Sequence, residues 1–200
     1  MILRKVVFLC VVIALGYAFF QDWSANNEAV VYVTSEGTAE RVAEDLIRDV
    51  WGARSHRTGE KEPITRVESV KTIPQVDGTL ALDMRIHIEG ANEYGVWNGL
   101  LDHVKKLFPR FIAETKLDGY NEFRLYGSLP MRDRNGNVTE DNISKVFFTR
   151  KAIQEISSWD KLDNTDLHFL LTKKNDGKNC TYWLHGGILS QVPHLKYFSK

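Results

Sequence analysis

Residues 79–89 read Thr-Leu-Ala-Leu-Asp-Met-Arg-Ile-His-Ile-Glu, and the alternation in them decides the fold. Leu80, Leu82, Met84, Ile86 and Ile88 face one way; Ala81, Asp83, Arg85, His87 and Glu89 face the other. A period of two describes a strand with one buried and one wet face, as in an antiparallel sheet. Asp77-Gly78, just upstream, is a hairpin signal. It pairs this strand with a more moderate one over Ile64–Ile73, and the polar stretch 53–63 ending at Pro63 reads as a loop.

Downstream the period changes. Trp97, Leu100, Leu101, Val104, Leu107, Phe108, Phe111 and Ile112 form a broad helical stripe over Tyr94–Thr115. Pro109 predicts a kink or break near Phe108. Glu122–Leu129 is a further strand, and Asn135-Gly136 turns it back onto Ser144–Thr149. Arg150–Ser157 reads as a short helix. Leu167–Thr172 and Cys180–His185 read as strands flanking a hairpin at Asn175-Asp-Gly177. Upstream, Ala29–Thr34 is a short β-branched run. Ser35 then stands ready to cap a helix through Trp51, with Ala39, Val42, Ala43, Leu46, Ile47 and Val50 on one stripe and Gly52 as its stop. The expected fold class is α+β: an antiparallel sheet with two to three helices packed on one face, preceded by an N-terminal signal or anchor helix.

Residues 1–23 carry the expected leader and 24–200 the single domain. Arg4 and Lys5 precede a charge-free apolar run from Val6 to Phe20. A basic start followed by such a run is the export pattern, and it places the bulk of the chain outside the cytoplasm. Gly16-Tyr17-Ala18 offers small residues for cleavage after Ala18. If uncleaved, Phe19, Phe20 and Trp23 extend the run toward a tilted anchor. The lipoprotein alternative fails because Leu9 precedes Cys10 where a small residue is required. The expected location is the periplasm, free or anchored to the inner membrane, or the exterior if the leader is removed.

Lys+Arg and Asp+Glu balance at 26 each. No basic excess exists to neutralise phosphates, which speaks against nucleic acid as a partner and leaves the N-terminal segment as the only membrane contact. Cys180 has no second cysteine in the domain, so an internal disulfide is excluded; a bridge between chains is the covalent alternative, and an inert, half-buried strand residue is the favoured reading.

Residues 127–137 (Gly-Ser-Leu-Pro-Met-Arg-Asp-Arg-Asn-Gly-Asn), followed by Thr149-Arg-Lys-Ala-Ile-Gln-Glu-Ile156 and Trp159, resemble a family of small uncharacterised bacterial domains. Such domains are often carried on exported or lipoprotein-like chains. In that family a strand ending in Pro-Met leads into Asp-x-x-Gly-Asn, and a short helix closes on Ile and Trp. The resemblance covers about residues 79–160. It implies an α+β fold and a bacterial or phage setting, and it implies no activity.

The densest ionisable set is Asp83, His87 and Glu89 beside Arg85. Residues two apart on a strand project side by side, so an acid/base pair or metal ligands could sit there; a solvated face with cross-strand ion pairs explains the same pattern. Asp133, Asn135, Asn137, Glu140 and Asp141 carry partial calcium-loop character, but Gly136 and Ser144 fall at the wrong positions and hairpin chemistry accounts for the turn. His185-Gly186-Gly187 resembles an oxyanion-hole motif with no Gly-x-Ser-x-Gly elbow to serve. His56, His103, His168 and His194 show no ligand spacing, and the triplets at Asn137, Asn142 and Asn179 carry no weight as glycosylation sites. No cofactor and no metal site is assigned. The expected function is an envelope interaction or ligand-binding module with a protein partner, a phage or mobile-element exclusion factor being one form of it. The alternative is a hydrolase built on Asp83, His87 and Glu89.

Overall fold

The computed structural model describes residues 38–56, 62–89, 93–132, 135–173 and 179–185. The chain divides into two units, Met1–Thr34 and Ser35–Lys200. The first, with the expected leader and the strand over 29–34, lies outside the described residues, as do the Asn175-Asp-Gly177 turn and the tail after His185.

Helix α1 (Ala39–Trp51) starts where Thr38 accepts a hydrogen bond from the Arg41 amide, three residues beyond the expected Ser35 cap. Glu40 lies in its first turn and Arg48 in its last, and Gly52 ends it at φ 84°. Strands β1 (Arg54–Ser55) and β2 (Ile64–Thr65) form a small antiparallel pair within and after the expected loop. The main sheet follows: β3 (Val67–Pro74), β4 (Leu80–His87), β5 (Tyr120–Arg132), β6 (Val138–Thr149) and β7 (Cys180–Leu184), in that spatial order. Gly78, at φ 82°, turns β3 into β4, and Gly136, at φ 87°, turns β5 into β6.

Three expectations need correction. The sheet is mixed: β4 and β5 pair in parallel, Leu82 beside Phe123 and Met84 beside Leu125, whereas the other pairs are antiparallel. The cause is the long helix α2 (Glu93–Ala113), which carries the chain back across the sheet before β5 begins. That helix runs through Pro109 without breaking. The segment Leu167–Thr172 is also no strand. It belongs to helix α4 (Asn164–Lys173), whose start is fixed by Asp163 and Asp166, each accepting a hydrogen bond from the other's amide. Leu167 and Leu171, one turn apart, are its fully buried residues. With the short α3 (Arg150–Gln154, capped by Thr149) the described helices number four rather than two to three.

These helices bury against one sheet face in a single apolar cluster. Leu82, Met84, Ile86, Phe123, Leu125, Val146 and Phe148 come from the sheet; Ala43, Ile47, Trp97, Leu100, Val104, Phe108, Phe111 and Ile153 come from the helices. Phe111 stacks on Phe123 at 5.3 Å and Phe108 meets Phe148 edge-on at 5.1 Å, which ties α2 to β5 and β6. Trp51 of α1 stacks on His103 of α2 at 4.5 Å, and His103 Nδ1 contacts the Gly99 carbonyl at 2.6 Å. At the far edge, the Thr72 hydroxyl donates to Glu40 and accepts from the Tyr120 hydroxyl at 2.6 Å. That bond is the main reason the Glu40 carboxyl sits below its usual range.

Near the sheet centre the backbone comes close to side chains. A Cβ on Gly127 would lie 2.5 Å from Ser144 Oγ and 2.8 Å from Ile88 Cδ1, at a bulge where Ile143 is the extra residue of β6. Gly127→Ala should therefore cost ~1–3 kcal/mol in urea unfolding. Combining it with Ser144→Ala and Ile88→Val should recover part of the loss; no change on Gly127→Ala would refute the close approach.

Burial, with Lys106 and Arg66 adding to it, holds His103 below its ordinary value of 6.5, so the folded domain favours the neutral ring. Its contribution to stability is whole above 6.5 and fades as pH falls through the depressed folded value. Urea midpoints measured from pH 7.5 downward should show this decline, and His103→Phe should flatten it.

Candidate functional site

The helices leave the second sheet face to the odd-numbered residues of β4 and their neighbours. Register sets them in rows across the strands. One row runs Lys71, Asp83, Arg124, Phe147, Thr181. The next runs Ser69, Arg85, Tyr126, Lys145, Trp183.

The first row is largely spent on itself. Arg124 donates to Glu122 at 2.5 Å, to Asp83 at 3.4 Å and to Gln75 at 3.0 Å. Burial opposes the charge on Arg124, yet the hydrogen bond and charge of Glu122, with Asp83, outweigh it and raise its pKa above the ordinary value. Phe147 is buried and lies apart from the main apolar cluster.

The second row differs. Arg85 lies over the Tyr126 ring at 5.8 Å and Lys145 over the same ring at 5.3 Å. They come from the strands on either side of β5, so the ring stands between two cations. Neither cation has an ion-pair partner among the described residues. Trp183 ends the row with 49% of its surface exposed, against Val76, Val138 and Phe169 as the other exposed large apolar residues.

The expected trio of Asp83, His87 and Glu89 is not brought together. Asp83 is held by Arg124. His87, four residues along the strand and so ~13 Å away at Cα, contacts the Thr65 carbonyl through Nδ1 at 2.6 Å and has Glu140 at 3.9 Å from Nε2. Glu89 lies beyond the end of β4. Its Oε1 accepts from Arg66 at 2.7 Å, and its Oε2 accepts from the His56 amide at 2.5 Å and Ser55 Oγ at 3.4 Å. Arg66 is only 2% exposed and also donates to the carbonyls of His87 and Arg54, both at 2.8 Å. Glu89 thereby balances a buried guanidinium that joins the small β-pair to β4.

Asp133 lies outside the described residues; Asn135 and Asn137 are exposed in the β5–β6 turn, and Glu140 and Asp141 are exposed in β6. Among the described residues no three His, Cys, Asp or Glu side chains group as metal ligands do. Cys180 is a buried thiol facing the Leu170 carbonyl at 3.5 Å. His168 is buried in ring contact with Trp97 and Tyr182, at 6.1 Å and 5.2 Å. His185 is described but Gly186 and Gly187 are not. No helix of the described residues is long and apolar enough to cross a membrane.

Tyr126, Lys145 and Trp183 did not figure among the sequence candidates. Alternation in β5 already put Tyr126 opposite Phe123 and Leu125. The alignment of Lys145 and Trp183 with it depended on register, which pattern alone does not supply. No protein-family model, no curated protein and no solved structure matches the chain.

Replacing Glu89 by Ala would leave Arg66 buried without its anion. We expect a loss of roughly 1–3 kcal/mol in stability, moderated because water reaches the Glu89 carboxylate. Chemical denaturation of Glu89→Ala beside Asp83→Ala checks this. An unchanged midpoint for Glu89→Ala would remove its structural role and return it to the list of reactive candidates.

Proposed function

We propose that the chain is an exported or membrane-tethered bacterial envelope protein whose α+β domain works as an interaction module through the second face of its sheet. The single supporting observation is the row Arg85–Tyr126–Lys145–Trp183, which sets two cations without ion-pair partners and a half-exposed indole on a face that the described helices leave uncovered. The leader signals of residues 1–23 and the family resemblance of residues 79–160 support the envelope setting. A protein partner fits this surface because aromatic and Arg side chains are the groups that anchor protein interfaces.

Site-specific photo-crosslinking in living cells tests the proposal. Benzoylphenylalanine in place of Lys71 or Trp183, both on this face, should give one dominant adduct in the envelope fraction. The same group in place of Lys151, an exposed residue of α3, should give none. The mass of the purified bait distinguishes cleavage after Ala18 from a retained leader. Adducts arising only from position 151, or bait found only in the cytoplasm, would overturn the reading.

A further inference from the structure

We infer that the row Arg85–Tyr126–Lys145–Trp183 receives an acidic polypeptide segment of the partner protein. Carboxylates of the segment would meet Arg85 and Lys145, and an apolar side chain would lie on Trp183. The inference rests on the reading of this face as an interaction surface and names the chemistry of its occupant.

Charge complementarity carries the argument. The face bears Lys71, Arg85, Arg124 and Lys145 against Asp83, Glu122 and Glu140, the last beside His87. Arg124 engages both Asp83 and Glu122. The cations left over are therefore Lys71, which is exposed at the β3 edge, and the pair beside Tyr126. The Tyr126 ring holds its two cations against the sheet by their contacts with its faces, so they are partly ordered before any ligand arrives. They are two strands apart, ~10 Å at Cα. Same-side residues of an extended chain recur at ~7 Å and ~13 Å, so flexible Asp or Glu side chains bracket that separation. Trp183, one strand further, supplies the apolar contact that gives such a segment more than salt-screened attraction.

Other occupants fit less well. Single-stranded nucleic acid needs several free aromatic faces on which successive bases stack, whereas among the described residues of this row Trp183 alone is half-exposed and the Tyr126 ring lies beside two cations. The whole chain also has no basic excess. An anionic membrane needs a broad cationic field, whereas the rows to either side carry Asp83, Glu122 and Glu140. A second copy packed face to face would set like charges against each other.

The test uses the full chain in neutral detergent and a fluorescein-labelled poly-glutamate peptide read by fluorescence anisotropy. Oligothymidylate and phosphatidylglycerol vesicles serve as competitors. We expect saturable binding that weakens as salt rises. Arg85→Glu with Lys145→Glu should weaken it by about tenfold or more, Trp183→Ala should weaken it to a smaller degree, and Lys151→Glu should leave it unchanged. Thermal melts of each variant separate lost binding from lost folding. No saturable binding, binding indifferent to the Arg85 and Lys145 changes, or displacement by oligothymidylate or vesicles at lower concentration than by unlabelled peptide would each overturn the inference. If poly-glutamate fails while positions 71 and 183 crosslink in cells, the face remains an interaction surface of other chemistry. If both fail, the proposed function falls too.

Discussion

Burial of α2 against the central strands is the constraint on which the rest of the domain depends. Val96, Trp97, Leu100, Leu101, Val104, Leu107, Phe108 and Phe111 are each no more than 5% exposed, too wide a stripe to satisfy at a sheet edge. The helix lies over the middle of the sheet, so β5 re-enters beside β4 and parallel to it. That pairing makes β5 the central strand, brings Phe123 under Phe111, and presents Arg124 and Tyr126 between the side chains of β4 and β6. The polar sheet face is thus set up by the packing on the opposite side of the same strands.

A second, polar device closes one end of the sheet. Arg66 interrupts what would otherwise be one strand from Ile64 to Pro74. Its guanidinium turns inward to the carbonyls of Arg54 and His87 and the carboxylate of Glu89. Burying such a group is unfavourable unless most of its donors are met, and the small β-pair exists to supply some of the acceptors. The ladder of ionisable residues on β4 thereby divides between two jobs: Asp83 neutralises part of the open face, and Glu89 anchors a buried cation. Side chains that alternate along one strand need not share one function, because each is claimed by a different neighbour.

The two sheet faces show how one alternation serves both a buried core and a polar surface. Leu82, Met84 and Ile86 of β4 disappear into the apolar cluster, and the odd-numbered residues from Asp83 to His87 are polar. On that polar side, self-neutralisation in the Arg124 row sits beside a pair of cations in the Tyr126 row that have no ion-pair partner among the described residues. The contrast between adjacent rows, rather than any one residue, sets this face apart.

The amino-acid sequence by itself determined the local elements: the alternation of 79–89, the stripe of 97–112, the turns at Gly78 and Gly136, and the mixed α+β class. These follow from periodicity and backbone chemistry, which are short-range properties of the chain. It misassigned Leu167–Thr172, where an apolar run fits strand or helix equally and the side-chain caps of Asp163 and Asp166 decide for helix. Only the tertiary structure decided that β4 and β5 run parallel, that Asp83, His87 and Glu89 stay apart, and that Arg85, Tyr126, Lys145 and Trp183 align. Strand order and register are long-range outcomes of burying α2, so Arg85 meets Tyr126, and Lys145 meets Trp183, only once the core has formed.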